Sequence, residues 1–277
     1  MNEAEFARCQ SALGRRIHEN DGVFWEEVYP FYCKPAFNYK PFDPGVKKPA
    51  SWRSLLGYSH QVRDANLGNR TVPFMVLDSE DLRSFDIMRI PIKKRPKIRK
   101  GLKACDVHFM EDLVPILDRV RQINIKQAVR QEKGAGAETP VKRYTVEADA
   151  WRAQVLKEFS VGGREWWGAF IGEELAAYMR TYQVDGVRVI EQTKVDNAYY
   201  KFYPMDALYY TIISQAAADQ NCQFIVNGRP QHSSLNYYKE QFCFKSVEFP
   251  YYSTNARMVE FVKKRILRIG VQLESNA

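Results

Sequence analysis

Apolar residues fall into three consecutive strand-like stretches, residues 166–171, 175–184 and 187–195, and the last two alternate with polar positions. Gly172-Glu173-Glu174 and Asp185-Gly186 separate them. Asp-Gly between two alternating runs is a strong hairpin signal, so the three stretches predict an antiparallel meander. On either side the period changes to that of a helix. Leu113, Ile116, Leu117, Val120 and Ile123 share one face over residues 112–131, and Pro115 is tolerable in the first turn. Thr145 can cap a second helix that runs to Phe159, with Ala148, Trp151, Val155 and Phe159 inside. Met205, Leu208, Tyr209, Ile212, Ile213, Ala216 and Ala217 give residues 204–220 a broad apolar face. A short strand over 223–227, ending at Asn227-Gly228, then leads to a helix over 234–242, a strand over 245–252 and a basic helix over 256–269.

The first part of the chain is less regular. Phe6, Cys9, Leu13 and Ile17 fall on one helical face, and Asn20-Asp21-Gly22 stops that helix. Residues 23–53 are dense in aromatics and contain five prolines, which predicts an irregular arm able to line a groove. Strand-like runs follow at 55–62, 71–77 and 85–90. Residues 93–103 hold seven basic residues of eleven and no acid, and read as a basic connector. Residues 132–143, with Gly134 and Gly136, read as a loop. From Cys105 the order is strand, helix, helix, three strands, helix, strand, helix, strand. That order predicts an α/β (α+β) fold, a mixed sheet flanked by helices. The expected division is an N-terminal accessory region over 1–103 and a main domain over 104–277.

Composition narrows the class. The chain has 277 residues, 45% hydrophobic and 13% aromatic, enough for a real core. Its 41 basic against 33 acidic residues give a net charge of +8. That excess suits a polyanion such as nucleic acid, a phosphorylated cofactor or an anionic lipid surface, or ordinary solubility. Five scattered cysteines without a C-x-x-C pair read as reduced thiols. The polar, acidic N-terminus is unlike a signal peptide, and no apolar run approaches the ~18 residues that span a bilayer. A cytoplasmic protein is expected. There is no Gly-x-Ser-x-Gly elbow and no Walker loop, and the four histidines lack metal-ligand spacing, so no metal is expected.

Two motifs sharpen the picture. Lys94-Arg-Pro-Lys-Ile-Arg-Lys-Gly-Leu-Lys103, followed by Asp106-Val107, resembles the basic segment that leads into the GNAT-like domain of Fem-type aminoacyltransferases. Tyr238-Lys-Glu-Gln-Phe-Cys-Phe244 is similar to their aromatic-Lys-x-x-Phe-Gly-Phe motif, with Cys243 where the family has glycine. The element order from about residue 105 to 252 resembles the GNAT N-acyltransferase fold. Residues 1–103 are too short for a complete second GNAT-like half.

The resemblance implies an acyltransferase that forms an amide on an amine acceptor, with two neighbouring strands splayed to admit the acyl donor. It implies that Lys239 stabilises the oxyanion and that Tyr238 gives a proton to the leaving group. It places Glu191 where GNAT enzymes often hold a general base, and Asn227 where it could orient substrate. Each has a plainer reading: a surface lysine, a core tyrosine, a solvated carboxylate, a satisfied turn. Lys97, Arg99 and Lys100 could hold phosphate of tRNA or CoA, rest on anionic lipid, or be solvated. Tyr199, Tyr200, Phe202 and Tyr203 could stack on a base, or simply pack. The Gly-rich pyrophosphate loop of acetyl-CoA enzymes is missing. Residues 196–206 have no glycine in its place. The donor is therefore expected to be a charged tRNA, a longer acyl-CoA or a carrier-bound acyl group. The competing reading is a catalytically idle GNAT-like module that binds nucleic acid or a protein partner through its basic segment.

Overall fold

A computed structural model describes residues 1–43, 47–135 and 139–254. The helix expected over 256–269 lies outside them. The described residues form two compact units, one of residues before 75 together with 246–254 and one within 75–245. The boundaries fall after Phe74 and after Lys245.

The first unit contains α1 (Glu3–Ala12), β1 (Ile17–Asn20), β2 (Val23–Tyr29), β3 (Tyr32–Pro35), β4 (Gly57–Gln61) and most of β11 (Lys245–Ser253). Helix α1 ends well before Ile17, which belongs to β1. Asn20 pairs with Val23, so Asp21 and Gly22 are a two-residue hairpin loop with φ of 53° and 70°. Both central residues at positive φ match the twist of the strands they join. Residues 23–35 are therefore not an irregular arm but two strands. Trp25 and Cys33 are buried there, and Phe42 and Tyr58 pack against them.

The second unit takes the end of β5 (Arg70–Leu77), α2 (Ser79–Arg83), α3 (Arg95–Ala104), β6 (Asp106–Phe109), α4 (Leu117–Ala135), α5 (Thr139–Thr145) and α6 (Ala148–Val161). β7 (Glu165–Ile171), β8 (Glu174–Val184), β9 (Val187–Val195), α7 (Pro204–Ala218), β10 (Phe224–Val226) and α8 (Ser233–Glu240) complete it. The strand predicted over 85–90 is absent, and its residues form the approach to α3. The expected basic connector is the helix α3. The expected loop over 132–143 is taken up at both ends by α4 and α5.

The sheet of this unit runs β5-β10-β9-β8-β7-β6, with β10 and β9 parallel and the other neighbours antiparallel. The meander β7-β8-β9 is as expected, and Asp185-Gly186 makes its second turn with φ of 46° and 85°. Both sheet faces are covered. On β8, Met179 packs into a core with Leu208, Ile212 and Phe242. Its neighbour Tyr178 points the other way, into a core with Val120, Ile123 and Trp151. Alternate side chains of one strand so serve two helical layers, α7 with α3 on one face and α4 with α6 on the other.

Candidate active site

Strands β9 and β10 pair for three residues only, Phe224–Val226 against Val187–Val189. Beyond Val226 the chain follows β5 instead. The Asn227 N–H donates to the Met75 carbonyl at 2.8 Å, and the Met75 N–H donates to the Gly228 carbonyl at 2.9 Å. Strand β9 continues to Val195. The pairing of the two strands therefore ends at Asn227.

Side chains from three elements meet at this vertex. Lys239, on α8, is 5% exposed, and its Nζ donates to the backbone carbonyl of Asn227 at 2.6 Å. Burial brings its pKa down from 10.5 to about 8. Asn227 Nδ2 donates to the Tyr209 hydroxyl on α7 at 3.0 Å. Tyr209 is also hydrogen-bonded to Thr193 of β9, and burial pushes its phenol up to about 12. The vertex thus ties β9, β10, α7 and α8 together through one buried ammonium, one amide and one phenol. The plain reading of Lys239 as a surface lysine is excluded.

A second buried group sits beside it. Asp206, in the first turn of α7, accepts from the Tyr238 hydroxyl at 2.6 Å and pairs with Lys94 Nζ at 2.5 Å. The Lys94 ammonium lies 3.9 Å from the Tyr238 ring centroid and 5.0 Å from that of Phe242. Burial holds the Lys94 pKa below its ordinary value, against the pull of Asp206. Burial first, then Asp206, raises the Tyr238 phenol well above its ordinary value. The Tyr238 proton is therefore committed to a carboxylate that accepts it. Tyr238 and Asp206 hold one another in place.

Lys94 and Asp206 were not singled out from the sequence. Lys94 is masked by the charged run around it, yet Lys94, Ile98, Gly101 and Cys105 recur at helical spacing and form the buried seam of α3. Gly101 matters because α3 lies so close to the start of α7. A Cβ there would stand 2.6 Å from the Tyr203 carbonyl oxygen and 3.3 Å from the Ala207 N. The N-terminal end of α7, where an acetyl-CoA enzyme would present free N–H groups to phosphate, is thus packed against α3 and carries its own anion, Asp206.

Glu191 lies on a different face from the one that simple alternation predicts. The register between β8 and β9 shifts there: Thr181 faces Ile190 and Arg180 faces Gln192, leaving Glu191 as the extra residue of a bulge. Ile190 packs in the α7-side core and Thr193 reaches Tyr209, so simple alternation fails across the bulge. Glu191 instead meets Arg180, which lies over Trp166 of the other core. Arg180 Nε is 2.7 Å and Arg164 Nε 2.9 Å from Glu191 Oε2. Burial pushes the carboxyl up, but Arg180 and Arg164 together hold it below its ordinary value. Two guanidiniums thus clamp this carboxylate on the face away from the vertex.

The remaining candidates lie outside the vertex. Tyr200 is 43% exposed, and its hydroxyl accepts from Arg130 of α4. Lys97, Arg99 and Lys100 are exposed on α3. Lys97 and Lys100 stand over the Tyr203 ring at 5.9 and 5.4 Å. Cys243, where the resembled motif has glycine, sits at φ of 66°. The glycine of the motif and the strained cysteine here answer the same left-handed backbone. All five cysteines are free thiols. Among the described residues no group of three or more His, Cys, Asp or Glu side chains is placed to hold a metal, and no helix is long and apolar enough to cross a membrane.

No family model and no curated protein sequence matches the chain. Solved structures do. The C-terminal domain of a putative lysylphosphatidylglycerol synthetase from Agrobacterium fabrum superposes with a TM-score of 0.58 at 11% identity, covering 96% of this chain and 98% of that one. FemX gives 0.57 at 11% identity, covering 93% of each chain. L-PGS from Bacillus licheniformis gives 0.52 at 14% identity, covering 96% of this chain and 92% of that one. At such identity the likeness is one of fold: the chain shares with these structures a mixed sheet flanked by helices.

Proposed function

We propose that this protein is an acyltransferase that forms an amide between an activated acyl group and an amine, with its reacting centre where β9 and β10 part. The observation that carries this is Lys239: a buried ammonium fixed at 2.6 Å on the Asn227 carbonyl, where the pairing of β9 with β10 ends. An acyl donor lying along the freed half of β9 brings its carbonyl to this vertex. The amine nitrogen attacks that carbon, the carbonyl π pair moves onto oxygen, and the tetrahedral oxyanion forms beside the ammonium. Collapse restores the carbonyl and expels the donor's leaving group, which takes up a proton as the new nitrogen loses one. Lys239 stabilises the oxyanion, where a fixed charge in a dry site acts without reorganisation. Tyr209 and Thr193 orient the Asn227 amide toward substrate, a positioning role.

The donor reading follows from α7. Its N-terminus is packed by α3 and neutralised by Asp206, which favours an aminoacyl-tRNA or a carrier-bound acyl group over acetyl-CoA. The fold neighbours support the same direction, since FemX and L-PGS are of the aminoacyltransferase type. The competing reading, an idle module that binds a polyanion, is favoured by the exposed cations of α3.

The test is single-turnover transfer of a labelled aminoacyl group from charged tRNA, and of an acyl group from CoA, to a panel of amines. Lys239→Ala should abolish transfer and leave donor affinity within a few-fold. Transfer at the wild-type rate in this variant would remove Lys239 from the chemistry. Absence of transfer from every donor, with retained binding of polyanion, would favour the idle module.

A further inference from the structure

We propose that residues 87–93 and helix α3 form a surface that docks this protein on an anionic lipid bilayer. The inference does not rest on the acyl-transfer reading, and its test measures membrane partition and not turnover. Two aliphatic side chains stand out from this approach to α3: Met88 is 63% and Ile92 77% exposed. Their exposure is built in. The Asp86 carboxylate accepts the N–H groups of Met88 and Arg89 at 2.6 and 3.0 Å. Arg95 donates to the carbonyls of Ile90 and Met88 at 2.8 and 2.5 Å. Ile90, fully buried between them, anchors the turn. The backbone is thus fixed with its two aliphatic neighbours held outward.

The charge beside them has one sign. No acid occurs between Asp86 and Asp106. Arg89 is spent on Asp81, Lys94 on Asp206 and Arg95 on carbonyls. Lys93, Lys97, Arg99, Lys100 and Lys103 remain exposed, and none makes an ion pair among the described residues. Leu102, 40% exposed, adds a third apolar side chain to the outer surface of α3. Cations around outward-held aliphatics are the composition of an interfacial helix, where apolar tips enter the headgroup region and lysines meet lipid phosphate. A nucleic acid would use the lysines but has no use for Met88 and Ile92. It would stack on rings, and the ring here, Tyr203, is half-buried beneath Lys97 and Lys100.

The experiment is co-sedimentation of the full chain with vesicles of phosphatidylcholine alone and with phosphatidylglycerol added. Wild type should partition onto the anionic vesicles only, and salt should weaken it. Lys97→Glu with Lys100→Glu should lower that partition by at least about tenfold, from the contribution of each cation at a charged surface. Lys142→Glu with Lys157→Glu makes the same charge change on α5 and α6 and should leave most of it. Met88→Ser with Ile92→Ser keeps the charge and should lower it several-fold. An unchanged partition in the serine variant, or equal loss in both charge variants, would reduce the effect to the overall charge and overturn the proposal. Binding of a single-stranded oligonucleotide through Lys97 and Lys100 without vesicle binding would overturn it as well. Melting curves confirm that each variant is folded.

Discussion

Replacing Lys239 with methionine gives the most direct physical test of the site. The wild-type ammonium is 5% exposed and accepted by one backbone carbonyl at 2.6 Å. Burial takes its pKa from 10.5 to about 8. At 1.36 kcal/mol for each unit, the folded protein disfavours the charged form by about 3 kcal/mol. Below about pH 8 the lysine is protonated in the folded and the unfolded chain alike, and the whole penalty is present. Between about pH 8 and 10.5 the folded chain has lost the proton and the unfolded chain still binds it. Unfolding then takes up a proton, so stability rises with pH in this window. Methionine has a similar shape and does not titrate. The stability of wild type relative to Lys239→Met should therefore climb by about 3 kcal/mol across that window. Lys94 and Lys194, also shifted downward, are present in both proteins and cancel in the difference. Urea unfolding followed by tryptophan fluorescence at a series of pH values measures it. A difference that stays flat would show that the ammonium is solvated, and the argument for a desolvated charge at the vertex would fall with it.

Three further outcomes are expected. Asp206→Asn strands the Lys94 ammonium and should cost about 3–5 kcal/mol in urea unfolding, while Lys94→Met with Asp206→Leu should recover much of that loss. Equal loss in single and double variants would deny the coupling. Glu191→Gln should lower stability by about 1–3 kcal/mol, because Arg164 loses its carboxylate and Arg180 keeps only Glu158. It should leave the transfer rate nearly unchanged, and a hundredfold fall with an intact fold would restore it as a base. Cys243→Val forces a β-branched residue into the left-handed backbone and should cost on the order of 1–2 kcal/mol relative to Cys243→Gly. Equal melting temperatures would remove backbone strain as the reason for glycine in the resembled motif.

The second unit was largely legible because its signals are local. Asp185-Gly186 set a turn, and the spacing of Met205, Leu208, Ile212 and Ala216 set a helix, without help from the rest of the chain. The same turn chemistry at Asp21-Gly22 was hidden by an apolar helical spacing that continues by chance from Phe6 to Ile17. Helix α3 was hidden by its own charge: its seam holds one aliphatic, Ile98, and its other buried positions are a lysine, a glycine and a cysteine at the end. The strand end and the motif on α8 point to Asn227 and Lys239, and the structure brings the two into contact. Lys94 and Asp206 are 112 positions apart, and no periodicity announces such a pair. Glu191 was misplaced because a bulge adds one residue to β9, and alternation cannot see an insertion that only the partner strand reveals.

The parting of β9 from β10 makes this sheet unusual in where it is vulnerable to solvent. In most sheets the outer strands exchange their amide hydrogens first, and the centre is shielded longest. Here the order should invert locally. In the C-terminal half of β9, a central strand, the amides that point away from β8 should exchange quickly in the free protein and slow when an extended guest pairs with them, giving a read-out of occupancy that requires no knowledge of the chemistry.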